Sequence, residues 1–302
     1  MVVAGCRGRA RSLGKQGLRK RDLSDRVGRF AGPASHKERC DGAGVDFKAH
    51  GCYLAAMALV DDLLSLVRDD PAPARDVRVC LRATAVRSRR LGLAYTFPRD
   101  PHAHGHGDDP APRPLRGRPA RELADFLLSP EPERASVGLA ALNSLLDPPR
   151  RLEDAHALEV IVRLGGGRAI ALVGHFPFVD RLRPLTRVLW VLELNPHEGD
   201  LPAHEAERVL PAADLVVITA STLVNRTLPV LLALARGKPV VLLGPSAPLT
   251  PVLLDHGVSA VCGSVVVDPE TALRDVSEGV SFRRMRGLRR VVLQSGAASH
   301  PA

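Results

Sequence analysis

Cysteines, aromatic residues and long apolar runs are all scarce in this chain of 302 residues. Its 5 cysteines show no paired spacing, which argues against a disulfide framework or a cysteine-ligated zinc site and favours buried thiols in a reducing cytosol. No apolar run comes near the ~20 residues that a membrane span requires, and no signal-peptide core follows the first arginines. The chain is 45% hydrophobic but only 3% aromatic, which is typical of an aliphatic α/β core. We therefore expect a cytoplasmic protein with no membrane partner.

The signatures of several familiar enzyme classes are also missing. The chain has no Gly-x-Ser-x-Gly nucleophile elbow, no phosphate loop ending in Gly-Lys-Ser/Thr and no His-Glu-x-x-His helix. Where a dinucleotide-binding fold carries its glycine fingerprint, this chain has Gly174-His175-Phe176-Pro177-Phe178, in which Phe176 and Pro177 would crowd a diphosphate. The glycines at 165–167 precede the predicted strand and cannot form that loop. A standard NAD site is therefore disfavoured.

The basic charge of the chain is concentrated at its start. The formal net charge is +9, and residues 1–50 hold 12 Lys and Arg against 5 Asp and Glu, so the remainder is nearly balanced. This arm lacks apolar periodicity and cannot bury enough surface to offset its chain entropy, so we expect it to be disordered. It could contact nucleic acid or a membrane, act in targeting, or be translated sequence upstream of the true start; we favour an interpretation without function. Nucleic acid is not expected as a partner of the folded body.

Residues 51–147 are predicted to form a small α+β domain. The predicted elements are a helix over 53–67, strands over 77–81 and 91–97, and helices over 119–128 and 132–146. Apolar residues alternate in the first strand, which indicates antiparallel strands with one packed face and one wet face. Two consecutive prolines in Asp147-Pro148-Pro149-Arg150-Arg151 stop the last helix and mark a domain boundary.

A histidine-rich stretch lies in the predicted loop over 98–119. His102, His104, His106, Asp108 and Asp109 have the residue types of a metal cluster. Neighbouring glycines and prolines would leave such ligands mobile, so metal binding would have to supply all of the ordering free energy. A solvated loop is the favoured interpretation.

Residues 151–302 are predicted to form an α/β domain with a parallel sheet. Short Val/Leu/Ile-rich runs separated by helix-sized stretches are typical of strands buried on both faces. These runs cover residues 169–173, 188–192, 215–218, 240–243 and 259–262. In an open parallel sheet the carboxyl ends of the strands share one edge, so the loops that follow them converge on one crevice. The sequence therefore predicts a ligand site at this edge.

The loops after the strands supply the candidate site residues. The predicted ligand-binding residues in these loops are Gly174, Glu193, Asn195, Thr219, Ser221, Thr222, Asn225, Gly244 and Ser246. His175 is the candidate proton carrier or metal ligand, with a loop-stabilising histidine as the alternative. Glu193 occupies the place where a Rossmann domain holds ribose hydroxyls, and it could instead ligate a metal or accept hydrogen bonds from loop amides.

The Thr219-Ala220-Ser221-Thr222 segment is predicted to begin a helix. Free amides and the dipole at such an end favour an oxyanion, whereas N-capping by Ser221 or Thr222 would explain only one of these residues. Asp200 and Pro202 are predicted to start another helix, with Asp200 as its cap.

Several of these segments resemble, in order, the family called putative heavy-metal chelation proteins. The matching segments are Gly174–Val179, Val191–Pro196, Leu210–Asp214, Thr222–Asn225 and Gly244–Ser246, with Gly92–Ala94 and Gly138–Asn143 in the N-terminal half. The resemblance covers residues 53–293 and implies an enolase N-terminal-like domain, a Rossmann-like C-terminal domain and a site between them. It would place Asn143 beside the loops at His175, Glu193 and Thr222, as a further ligand-binding residue. Without a cysteine cluster, thiolate capture of a soft metal is doubtful.

Two functions follow from the sequence as alternatives. The first is binding of a small anionic or metal-associated ligand in the cleft between the two domains, with a divalent metal left open as cofactor. The second is a transferase or lyase that uses an adenine-nucleoside-containing substrate, such as an adenosyl cofactor, with Glu193 on the ribose. A nucleic-acid or assembly protein that acts through its arm is a third class. No reaction is specified, and a homo-oligomer is compatible with the sequence.

Overall fold

The computed structural model describes residues 50–97 and 114–294. The predicted arm, apart from His50, and the histidine-rich stretch with His102, His104 and His106 lie outside the described residues. Two sheets organise the described part: a 3-stranded antiparallel sheet and a 7-stranded sheet that is mostly parallel. The α/β class expected from the sequence is confirmed.

The small sheet has the order β1-β2-β3. Its strands are β1 (Asp76–Val79), β2 (Ala83–Arg87) and β3 (Leu91–Tyr95), and its helices are α1 (His50–Ser65), α2 (Ala120–Ala124) and α3 (Pro132–Leu145). The prediction of one wet face was wrong, and β2 was missed as a strand. Four consecutive residues of β2 and of β3 are buried because α3 packs on one face and the later helix α9 (Pro269–Ser277) covers the other.

The large sheet has the order β10-β9-β8-β7-β4-β5-β6. Its strands are β4 (Ala169–Val173), β5 (Val188–Glu193), β6 (Leu201–Pro202), β7 (Leu215–Thr219), β8 (Val240–Leu243), β9 (Ala260–Val266) and β10 (Leu288–Gln294). Strands β4 to β9 run parallel, and β10 pairs antiparallel with β9. In β7, Val216 and Ile218 pack into one core while Leu215 and Val217 pack into the other. Both faces are therefore buried, which explains why the strand is apolar from Leu215 to Ile218.

Helices precede or follow most strands of the large sheet. They are α4 (Ala157–Gly165), α5 (Val179–Leu182), α6 (Ala206–Ala212), α7 (Leu228–Leu234), α8 (Val252–Asp255) and α9 (Pro269–Ser277). Short 3₁₀ turns occur at Asp125–Leu128, Arg183–Leu185, Ala203–Glu205 and Ala220–Leu223. Within the described ranges, every helix is too short or too polar to cross a membrane.

A buried carboxylate joins α9 to the segment before β10. The Asp275 side chain is fully buried and accepts hydrogen bonds from the Arg286 backbone N at 2.7 Å and from Arg286 Nη2 at 2.6 Å. The side-chain hydrogen bond from Arg286 is the main cause that lowers the pKa of Asp275 below its ordinary value. Because the folded pKa is depressed, the ionised form stabilises the fold.

Asp275→Asn is expected to lower the free energy of unfolding by about 2 kcal/mol at neutral pH, because it removes charge-assisted bonds at a buried position. The wild type should keep this stabilisation above the ordinary aspartate pKa of about 3.9 and lose it as the pH falls through the lower folded pKa. Urea unfolding from pH 7 to pH 2 measures both effects. The exposed Asp255→Asn is the control; equal stability of the two variants at pH 7 would contradict the role of Asp275.

Candidate functional site

The loops at the carboxyl edge of the large sheet line one cavity of about 510 Å³. Four strands contribute the segments that follow them: β4, β5, β7 and β8. All of the predicted site residues except Asn143 line it, namely Gly174, His175, Glu193, Asn195, Thr219, Ser221, Thr222, Asn225, Gly244 and Ser246. The structure therefore brings together residues that lie far apart in the sequence, as the parallel-sheet geometry predicts.

Two glycines allow the loops to leave the sheet close together. Gly174 has φ +112°, and a Cβ there would lie 3.2 Å from the Thr219 side chain at the end of the neighbouring strand. Gly244 has φ +149°, and its Cβ would lie 3.3 Å from Ala220. Side chains at either position would meet both a strained backbone and the β7 loop. Glycine at these two positions thus lets the loops after β4 and β8 lie close to the end of β7.

His175 is held by a buried carboxylate. Its Nδ1 lies 2.8 Å from Asp200 Oδ2, and the Asp200 side chain is 1% exposed whereas that of His175 is 36% exposed. Asp200 Oδ2 also accepts a hydrogen bond from the His197 backbone N at 3.2 Å. The prediction that Asp200 caps a helix was wrong, because residues 201–202 form β6 and no helix starts at Asp200. Only the imidazole of this pair can reach a ligand.

Glu193 supports the loop after β4. Its Oε1 accepts a hydrogen bond from the His175 backbone N at 2.7 Å, and its Oε2 accepts one from the Leu194 backbone N at 3.0 Å. These bonds correspond to the structural alternative considered for this residue. A carboxylate has about four acceptor positions, so its free lone pairs can still meet a ligand hydroxyl.

The segment after β7 does not form the predicted helix start. Residues 220–223 make a 3₁₀ turn, and α7 begins only at Leu228 with 7 residues. Thr219 Oγ1 and Ser221 Oγ lie 3.0 Å apart, and Asn225 Oδ1 accepts a bond from Thr227 Oγ1 at 2.7 Å. Arg226, between Asn225 and Thr227, has a positive φ of 61°. Side chains, rather than a helix dipole, therefore provide the polar groups here.

Asn143 bridges the two sheets instead of lining the cavity. Its Nδ2 donates to the Leu93 carbonyl at 3.0 Å and to the Ser246 carbonyl at 2.9 Å. The Tyr95 backbone N donates to Ser246 Oγ at 2.8 Å, which adds a second bridge. Asn143 is thus not among the residues that line this cavity, and its NH₂ group is engaged by two carbonyls, one of them that of Ser246, which does line it.

Aromatic side chains that were not predicted as site residues form part of the cavity wall. Tyr95 and Phe97 pack edge to face with ring centroids 5.4 Å apart, and both line the cavity together with Phe176 and Phe282. The sequence signal was weak, because Tyr95 and Phe97 lie in the domain opposite the predicted loops. They add apolar surface to a cavity that polar loop residues also line, and such a mixed lining is typical of small-molecule sites.

The side chains of the described residues fit a free heavy-metal ion poorly. No group of three or more His, Cys, Asp or Glu within the described ranges could hold a metal ion. Cys80 and Cys262 are free, and burial raises the pKa of the Cys262 thiol to about 12. A thiol must lose its proton to bind a metal, so Cys262 is a poor ligand. Among the residues that line the cavity, His175 is oriented by the carboxylate of Asp200, as metal-binding histidines commonly are.

Known proteins match the chain in both halves. A family model described as "Putative heavy-metal chelation" (DUF364) matches residues 156–294, and another with the same description (DUF4213) matches residues 60–146. An uncharacterized protein of Methanocaldococcus jannaschii is 27% identical over 195 residues, which is 61% of this chain and 73% of that protein.

Two crystal structures of DUF364 proteins with unknown function share the fold. The protein from Desulfitobacterium hafniense has a TM-score of 0.71 and 27% identity, over 80% of this chain and 100% of that chain. The protein from Pyrococcus horikoshii has a TM-score of 0.67 and 22% identity over the same shares. This chain is therefore similar to proteins of the putative heavy-metal chelation family, with the DUF4213 match at residues 60–146 ahead of the DUF364 match at residues 156–294.

Proposed function

We propose that the protein binds a small organic anion, alone or already carrying a metal ion, in the cavity between its two sheets. The observation that carries this proposal is the convergence of hydroxyl, amide and imidazole groups on one cavity of about 510 Å³ whose lining also includes aromatic side chains. A few convergent polar groups in an otherwise apolar cavity fix the orientation of a small ligand.

The architecture supports a ligand site at this edge. Numbered by their order along the chain, the strands of the large sheet lie as 3-2-1-4-5-6-7. This order supports a Rossmann-like assignment for residues 151–302, and the cavity lies where the order reverses, between β4 and β7. We propose an enolase N-terminal-like assignment for residues 51–147 and a cytoplasmic location. A homo-oligomer remains compatible with this proposal.

Asn225 is the proposed anion donor. Its Oδ1 accepts hydrogen bonds from the backbone N and the hydroxyl of Thr227, which fixes the orientation of the amide. Within the described ranges its Nδ2 has no hydrogen-bond partner, and Asn225 lines the cavity. The hydroxyl of Ser221 provides a second donor nearby. A neutral donor forms a stronger hydrogen bond with a charged acceptor than with a neutral one, so the Asn225 amide and the Ser221 hydroxyl suit an anionic ligand.

His175 is the proposed proton carrier. When the imidazole is neutral and its Nδ1–H group donates a hydrogen bond to Asp200, Nε2 carries no proton and is a hydrogen-bond acceptor. In this tautomer Nε2 can take a proton from a bound ligand or hold a metal that the ligand brings. A metal would need further donors from its own ligand, because the described side chains supply no cluster around it. This interpretation reconciles the family description with the residues present.

Asn225→Asp tests the proposal with citrate and zinc citrate as probes. The variant keeps the acceptor for Thr227 but replaces the NH₂ group with a negative charge, so we expect at least a ten-fold weaker affinity for both probes, about 1.4 kcal/mol. Isothermal titration of the full chain measures the change. Ser129→Asp adds the same charge outside the cavity and preserves the acceptor that Glu131 N uses, so it should bind as the wild type does.

Three results would contradict this proposal. The wild type could bind neither probe, both variants could bind equally well, or adenosine could bind in preference to both anions. The last result would favour the adenine-nucleoside alternative, in which Glu193 contacts the ribose. Glu193→Gln would then weaken adenosine binding without affecting citrate.

A further inference from the structure

A second cavity, of about 580 Å³, lies beside the first. Gly244, Pro245 and Phe282 line both cavities, so these residues separate them. The second cavity is bounded by the first turn of α4, the segment after β4, the strands β8 to β10 and the segment before β10. None of the candidate residues His175, Glu193, Ser221 and Asn225 lines it.

The second cavity has an apolar floor and a basic rim. Leu158, Phe178, Leu243 and Met285 provide apolar surface. Arg181, Arg283 and Arg290 also line the cavity, and the described residues that line it include no Asp or Glu. Three arginines and no acidic residue of the described ranges therefore line this cavity.

The charges of these arginines are not compensated locally. Arg181 and Arg283 form no ion pair with a described residue, and Arg290 Nη2 donates only to the Arg283 carbonyl, at 3.2 Å. Neighbouring arginines outside the lining differ: Arg286 pairs with Asp275, and Arg289 pairs with Asp154 at 3.2 Å. Within the described residues, two arginines of this region outside the lining thus have acidic partners, whereas the three that line the cavity have none. Arg181, Arg283 and Arg290 are exposed, and like charges that line one cleft without a counter-charge attract an anion.

The buried cysteine of β9 gives the cavity an inert floor. Cys262 lines the cavity and is 4% exposed. Burial raises the pKa of its thiol to about 12, so the group stays protonated and neutral at physiological pH. It contributes a small apolar surface, not a nucleophile or a second charge.

We propose that this second cavity binds a small organic anion with an apolar body, separately from the ligand of the first cavity. The acidic head contacts Arg181, Arg283 and Arg290, and the body lies against Leu243 and Phe178. Guanidinium groups favour carboxylates and phosphates because their planar donors match two oxygens at once. The apolar floor adds hydrophobic stabilisation that a bare inorganic ion cannot gain.

Decanoate is the probe, with isothermal titration of the full chain as the measurement. The double variant Arg181→Gln/Arg283→Gln is expected to bind decanoate at least ten-fold more weakly than the wild type. The matched control is Arg183→Gln/Arg284→Gln, which removes the same charge from exposed arginines outside the lining and should leave binding unchanged. Inorganic phosphate should bind the wild type more weakly than decanoate, and decan-1-ol should not distinguish the two double variants.

The location of the probe is tested with the first cavity's own variant. Asn225→Asp should weaken citrate binding but leave decanoate binding unchanged, so failure of one site is distinguishable from failure of the other. The proposal is overturned if decanoate does not bind the wild type or if the two arginine double variants lose affinity equally. It is also overturned if Asn225→Asp alone abolishes decanoate binding.

Discussion

Gly138→Ala is expected to destabilise the protein by about 3 kcal/mol or more, although alanine in a helix is ordinarily about 1 kcal/mol more favourable than glycine. Gly138 lies in α3, which packs closely on the Asp125–Leu128 turn. A Cβ at this position would overlap the Leu127 backbone N and lie 2.6 Å from the Phe126 carbonyl carbon. Both neighbours are backbone atoms, so a side-chain rotation cannot relieve the clash.

Gly92→Ala should have a comparable effect from the other side of α3. A Cβ on Gly92 in β3 would overlap the Ala140 carbonyl oxygen and the Ser144 backbone N. The control is Gly117→Ala, where φ is +87° and no atom lies within 4 Å, so only a backbone cost of about 1 kcal/mol is expected. Chemical denaturation measures all three variants. A Gly138→Ala variant as stable as the wild type would show that α3 does not pack as closely as described.

Asp200→Ala is expected to lower the free energy of unfolding by about 2 kcal/mol and to weaken citrate binding. The change leaves the His197 backbone N and His175 Nδ1 without their buried acceptor. It also frees the imidazole to turn and to change tautomer, because the carboxylate holds the proton on Nδ1. Asp200 does not contact the ligand in our proposal; it is a positioning residue.

The isosteric Asp200→Asn separates the effect on the orientation of His175 from the effect on the free energy of unfolding. It can still accept the His197 amide, so most of the stability should remain, but its NH₂ group can donate to Nδ1 and favour the Nε2–H tautomer. Nitrogen chemical shifts of His175 report the tautomer directly. Asp180→Asn, at an exposed carboxylate, is the control. An unchanged tautomer in Asp200→Asn would exclude the positioning role.

Local sequence information was sufficient for the central strands of the large sheet and for the place of the site. The predicted runs at 169–173 and 240–243 coincide with β4 and β8, because a strand covered on both faces must be apolar throughout. Given parallel strands, the residues that follow each one necessarily share an edge. The loops at His175, Glu193, Thr219 and Gly244 could therefore be grouped without coordinates.

Long-range contacts decided everything else about the site. Asn143 Nδ2 donates to the Ser246 carbonyl, 103 residues away. Arg78 in the small sheet donates to the Leu273 carbonyl of α9, 195 residues away. No local pattern reports such partners, so Asn143 looked like a ligand residue and β2 did not look like a buried strand. Aspartate likewise often caps helices, and only the tertiary structure shows that Asp200 is buried next to His175 and bonds its imidazole. Periodicity reports which faces of an element are covered, whereas the identity of the covering atoms depends on how distant segments pack.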